Sequence, residues 1–188
     1  MAPPGGELIE LSVLFIDVRG FTALSERKSA NEVVWLLNQF YSLSAETVFA
    51  LDGTLDKMVG DQVMAFFGAP FRPEDHQKRA VEAALTIVRG MDAMFPDGNP
   101  LSVGGAVASG RMFMGNVGEG EVRDFTVIGD VVNTAARLQA EALAGEVLVT
   151  EDTYEALGPQ IQDFPLRTLE LRGKETPVPV RVLRNHIV

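Results

Sequence analysis

Residues Ile9–Val18 read IELSVLFIDV, an apolar run rich in β-branched side chains that carries a carboxylate near its end. A run of this length without polar alternation is a central strand buried on both faces. Arg19-Gly20-Phe21-Thr22 breaks it at once. From Ser29 to Ala50 the apolar residues Val33, Leu36, Leu37, Phe40, Tyr41 and Val48 recur at three- and four-residue steps, the mark of an amphipathic helix. Ser29 is its N-cap, and Glu32 completes a capping box. Asp52-Gly53 leads into a hairpin of Thr54–Met58 and Gln62–Phe67 around Val59-Gly60.

Pro73 fits the first turn of a further helix with the stripe Ala80, Ala84, Ile87, Val88 and Met91. Beyond Pro96–Pro100, strands are expected at Leu101–Ala108, Met112–Val117 and Asp124–Ile128, with a turn through Gly118–Gly120. A helix at Val131–Ala142, a strand at Glu146–Thr150 and a short helix at Glu151–Leu157 follow. Two closing strands are expected at Ile161–Leu171 and Val178–Leu183. Hairpins mixed with helices imply an α+β fold: a ferredoxin-like, antiparallel-rich sheet with helices packed on one face. Residues 1–7 read as a linker or a remnant of a longer protein, and residues 8–188 as one domain.

The 188 residues include no cysteine, which excludes disulfides, thiol nucleophiles and Cys-ligated metal sites. The two histidines, His76 and His186, are far apart, and His76 reads as a solvated helix residue. Metal chemistry must therefore use carboxylates, which favours hard cations such as Mg²⁺ or Mn²⁺. No apolar run is long enough for a membrane span, and no signal peptide is visible, so a cytoplasmic location is expected. Sixteen Lys and Arg stand against 26 Asp and Glu, a formal charge of −10. That balance argues against nucleic acid or anionic membrane as partners. It also means that an anionic substrate needs a local reversal of charge.

The informative residues sit where strands end. Asp17 closes the first strand, and Asp61 lies in the hairpin turn after Gly60. If those strands are neighbours, the two carboxylates form a cation clamp; equally, Asp at a turn is common, and spacing alone leaves both readings open. The surrounding residues add more. Phe15-Ile16-Asp17-Val18-Arg19-Gly20-Phe21-Thr22 is a strand, a carboxylate and a Gly turn into a helix. Asp56-Lys57-Met58-Val59-Gly60-Asp61 places a cation four residues before the second carboxylate. Residues 124–138 form a strand, a Gly-Asp turn and a helix on which Asn133 and Arg137 are i and i+4, sharing one face.

These three motifs, in this order, resemble the class III nucleotide cyclase catalytic domain, the family of adenylyl and guanylyl cyclases, from about Leu11 to Leu183. The resemblance implies attack of a ribose 3′-hydroxyl on the α-phosphate of a nucleoside triphosphate, with loss of pyrophosphate. It implies two Mg²⁺ or Mn²⁺ ions on Asp17, Asp61 and the Ile16 carbonyl. Backbone N–H groups of Gly20, Phe21 and Thr22 would cradle phosphate. Asn133 would orient the ribose, and Arg137 would stabilise the transition state. Arg172 matches a triphosphate-binding position that usually holds Lys, with Lys174 as substitute.

Lys57 and Thr126 match the base-reading pair. Lys donates to adenine N1, where guanylyl cyclases typically have Glu. A bacterial subgroup of adenylyl cyclases carries Thr at the second position, although a hydroxyl discriminates less sharply than a carboxylate. The reading is therefore an ATP-consuming adenylyl cyclase, with a guanylyl or dual-specificity enzyme as the alternative. The family's composite sites imply a homodimer, with a regulatory domain outside this segment. Phe66, Phe67, Phe71, Met112, Phe113 and Met114 would line its interface or else belong to the core. A silent nucleotide-binding module would lack a metal Asp, the Asn or the Arg, and none is lacking. A diguanylate-type cyclase would want Gly-Gly followed by an acid, but Gly104-Gly105 is followed by Ala106.

Overall fold

The computed structural model of the chain describes residues 5–159 and 163–184. In chain order its elements are β1 (Glu7–Val18), α1 (Phe21–Arg27), α2 (Ala30–Ala50), β2 (Thr54–Val59), β3 (Gln62–Phe67), α3 (His76–Met94), β4 (Val103–Glu119), β5 (Val122–Ile128), α4 (Asp130–Glu141), β6 (Glu146–Thr150), α5 (Glu151–Glu155), β7 (Leu166–Leu169) and β8 (Val178–Arg184). Most of the expected entry segment Met1–Gly6, the start of the expected strand Ile161–Leu171, and His186 lie outside the described residues.

Among those residues the strands form one eight-stranded sheet in the order β2-β3-β1-β4-β6-β8-β7, with β5 paired to β4. β4 and β6 run parallel, and the other ladders are antiparallel. The half made of β1, α2, β2, β3, α3 and β4 is the β-α-β-β-α-β arrangement of ferredoxin-like folds. The α+β, antiparallel-rich expectation therefore holds.

One detail differs. Leu14, Ile16 and Val18 of β1 face α2 and α3, burying Phe40, Val48, Ala84 and Ile87. Leu11, Val13 and Phe15 point to the opposite face, where Val132 and Ala135 of α4 cover them. Helices thus lie on both faces rather than one. The cause is the unbroken apolar run itself, since a strand buried on both sides needs two covering layers.

The α2 capping box forms as expected: Glu32 N–H donates to Ser29 Oγ at 3.3 Å, and Ser29 N–H to Glu32 Oε2 at 3.0 Å. The two strands expected around Gly110 are one, because β1 pairs continuously with β4 from Val18↔Val103 to Glu7↔Met114. α3 begins at His76 with Asp75 at its N-cap, so Pro73 precedes the helix. His76 is buried, not solvated, and its Nδ1 hydrogen-bonds Ser12 Oγ at 2.8 Å, which in turn bonds Ser109 Oγ at 2.6 Å. It occupies the same stripe as Ala80 and Ala84, the stripe that packs on the sheet. Phe66, Phe67 and Met112 are core; Phe113 and Met114 are half-buried, and Phe71 is exposed.

Candidate functional site

Asp17 pairs across the sheet with Gln62 on one side and Gly104 on the other. Asp61 precedes Gln62 in the β2–β3 turn, just past the end of that ladder. Its backbone is fastened twice: its carbonyl accepts from Val18 N–H at 3.1 Å, and the neighbouring Gly60 carbonyl accepts from the Tyr41 hydroxyl of α2. Two carboxylates are thereby held together. Burial, then hydrogen bonding to Asp61 and repulsion from its charge, push the Asp17 pKa up to about 7. Arg19, with Nη2 3.9 Å from Asp17 Oδ2, and Gln139 oppose this without cancelling it.

Asp17 Oδ1 is buried and has no hydrogen-bond partner. A buried, unpartnered carboxylate oxygen beside a second carboxylate is costly unless a cation answers it. No cluster of three or more His, Asp or Glu forms among the described residues. Two carboxylates suit Mg²⁺ or Mn²⁺, which take few protein ligands and complete their shells with water and substrate phosphate. The residues therefore fit a hard divalent cation.

The carboxylates open into a pocket of about 350 Å³ that Gly20, Phe21, Thr22 and Gln139 also line. Gly20 adopts φ 69°, ψ 27°, a left-handed turn that glycine makes without strain, and it swings the chain from β1 into α1. Arg19 Nη1 donates to the Gln139 and Ala142 carbonyls at 3.1 Å each, which ties the exit of β1 to the C-terminal end of α4. Gln139 is buried and accepts from Gln62 Nε2 at 3.2 Å. Neither Arg19 nor Gln139 was singled out in the sequence. The clue available was position: one directly follows Asp17, the other lies two residues beyond Arg137.

Lys57 and Thr126 meet in a second cluster, around Asp56. The Thr126 hydroxyl donates to Asp56 Oδ2 at 2.6 Å, and Lys57 Nζ donates to Asp56 Oδ1 at 3.0 Å and also to Asp124. The Asp56 side chain is fully buried. The Asp124 hydrogen bond is the main reason that the Lys57 pKa is raised, with Asp56 adding to it. Asp56 was missed because alternation along β2 would send it to the face opposite Lys57. A register shift between Leu55 and Lys57 makes Asp56 the extra residue of a β-bulge, which re-aims it.

Asn133 and Arg137 are exposed on α4. Arg137 and Gln139, two positions apart on a helix of about 3.6 residues per turn, point roughly 200° from each other. Arg137 is therefore directed away from the carboxylates of its own chain. It lies against Gly173, where an added Cβ would come within 3.2 Å of its Nη1. Arg172 lines a separate hollow with Lys174, and Lys174 pairs with Asp130. Among the described residues neither Arg137 nor Arg172 forms an ion pair. The pocket holding Asp17 and Asp61 contains none of Lys57, Thr126, Asn133, Arg137 and Arg172.

The family described as the adenylate and guanylate cyclase catalytic domain matches residues 7–182. The uncharacterised protein Rv1319c of Mycobacterium tuberculosis is 34% identical over 182 residues, covering 95% of this chain and 34% of that protein. The chain thus spans about a third of the length of the curated relatives it matches. The crystal structure of the adenylyl cyclase CyaB from P. aeruginosa matches with a TM-score of 0.88 at 30% identity, covering 97% of this chain and 98% of that one. The guanylyl cyclase Cya2 matches with a TM-score of 0.89 at 28% identity, covering 95% and 93%.

Proposed function

The chain belongs to the adenylate and guanylate cyclase catalytic-domain family, and from that premise we propose that it converts ATP to 3′,5′-cyclic AMP and pyrophosphate as a homodimer. The observation that carries this reading is the Asp17–Asp61 pair with its unpartnered Asp17 oxygen. Two Mg²⁺ or Mn²⁺ ions held by Asp17, Asp61 and the Ile16 carbonyl would supply charge neutralisation and acidify the attacking 3′-hydroxyl. The 3′-oxygen bonds to the α-phosphorus, the bond from that phosphorus to the bridging oxygen breaks to release pyrophosphate, and the hydroxyl proton passes to solvent water. Backbone N–H groups of Gly20, Phe21 and Thr22 bind phosphate oxygens beside the carboxylates. Asn133 orients the ribose. Arg137, without an ion pair among the described residues, meets charge that develops in the transition state. Arg172 contacts the triphosphate.

Relatives named for either nucleotide share this fold, so base choice rests on Lys57 and Thr126. Lys57 offers a donor to adenine N1, and Thr126 faces the exocyclic amine. The outward direction of Arg137 supports composite sites, in which each subunit lends its α4 face and base-reading cluster to the carboxylates of the other. No helix among the described residues is long and apolar enough to cross a membrane.

The deciding test is a product assay with ATP and GTP side by side, in Mg²⁺ and in Mn²⁺, at protein concentrations that favour dimers. Cyclic AMP is the expected main product, and Asp61→Ala abolishes it. No product from either nucleotide would overturn the enzyme reading, and a predominance of cyclic GMP would overturn the base assignment.

A further inference from the structure

We propose that Asp56 is a positioning residue for base selection, one that turns the Thr126 hydroxyl into a pure acceptor and Lys57 into a fixed donor. This rests on the adenine reading above. A hydroxyl can both donate and accept, so by itself Thr126 tells adenine from guanine poorly. Here its proton has a destination. A carboxylate only accepts, and Asp56 Oδ2 lies 2.6 Å from Thr126 Oγ1, so the hydroxyl must donate inward. What Thr126 then presents to a base is lone pairs. The other oxygen of the same carboxylate, 3.0 Å from Lys57 Nζ, holds the ammonium beside it. With Asp124 taking a second N–H, one Lys57 N–H is left to point outward.

The resulting edge reads acceptor then donor. Adenine presents its N6 amine donor and N1 acceptor, which complete both bonds. Guanine presents O6, an acceptor, and N1–H, a donor, and both would face groups of their own kind. A site whose fixed polar groups are left unpaired rejects the wrong ligand far more strongly than one whose groups can rotate. Asp56 is suited to this work because its side chain is fully buried and reaches the cluster through the bulge in β2. Water does not compete for the proton, and the bulge lets consecutive residues Asp56 and Lys57 serve one cluster.

The test is steady-state kcat/KM for ATP and GTP in wild type, Asp56→Asn, Asp56→Ser and Thr126→Val, with thermal melts to monitor folding. Asparagine keeps the shape but can donate, which frees the Thr126 proton to turn outward. The ATP-to-GTP ratio is expected to fall about 10-fold or more in Asp56→Asn, with the value for GTP rising while that for ATP falls. Asp56→Ser, which takes up less volume, is expected to move the ratio the same way should Asp56→Asn fold poorly. With Thr126→Val already in place, adding Asp56→Asn should move the ratio by much less than it does alone. Equal losses on both nucleotides, an unmoved ratio, or multiplicative effects in the double variant would overturn the proposal. A wild type that prefers GTP overturns the adenine reading instead. Should wild type turn over neither nucleotide, the same ratios are read from equilibrium binding of ATP and GTP by titration calorimetry.

Discussion

Asp17 sits where the native protein disfavours its ionised form. Its ordinary pKa of 3.8 rises to about 7 in the native protein, chiefly through burial and then through Asp61. The metal-free native state therefore holds a proton that the unfolded chain has lost over this interval. The contribution is complete below about pH 4 and disappears as pH rises through 7. In the proposed metal site a divalent cation would take the proton's place. Thermal melts should show Mn²⁺ raising Tm by a few degrees at pH 8, on the order of 1–2 kcal/mol, and by much less at pH 5. Asp17→Asn should raise Tm in the absence of metal at pH 8 and remove the Mn²⁺ response. Equal responses at both pH values would contradict competition between the metal and the proton on Asp17. With Arg137 in the proposed role of meeting charge only in the transition state, substitution by Ala should lower kcat by roughly 10²–10³-fold and leave KM within about threefold. A rise in KM at constant kcat would instead mark Arg137 as a ground-state binding residue.

At the scale of elements, local chemistry was legible and long-range pairing was not. The α2 capping box could be read from Ser29 and Glu32 because both partners lie within one turn. Ser29→Ala should cost about 1 kcal/mol, seen as a lower urea midpoint at unchanged m-value, with kcat per folded molecule intact. His76 was misread because a lone polar residue at a helix start looks solvated. Its phase with Ala80 and Ala84 was the overlooked signal, and its partners Ser12 and Ser109 are brought to it by the sheet. The bulge at Asp56 had no signal in the chain, since it arises from how β2 and β3 register.

For the whole molecule, the charge of −10 and the proposed triphosphate substrate are reconciled by where the cations lie. Arg79, Arg167, Arg181 and Arg184 are taken up in ion pairs with acidic residues, whereas Arg137 and Arg172 form none among the described residues. Assembly makes a further test possible. Asp17→Ala and Arg137→Ala are each expected to be inactive alone. Mixed and allowed to exchange subunits, they should recover about a quarter of wild-type turnover, since about half the dimers are mixed and each has one intact site. Absence of recovery in a mixture shown to contain heterodimers would contradict composite sites.

Sequence alone determined which segments form elements and which residues are candidates for the chemistry. Asp17, Asp61, Lys57, Asn133 and Arg137 stand in motifs whose spacing is local, and hydrophobic period is a property of adjacent residues. Only the tertiary structure decided that helices cover both faces, that Asp56 joins Lys57 and Thr126, that Arg19 and Gln139 close round the carboxylates, and that Arg137 turns away from them. Most of these depend on contacts between distant segments, 70 positions apart for Asp56 and Thr126 and 120 for Arg19 and Gln139, or on the register of a strand pair, and the free energy that sets them is absent from any local window of sequence.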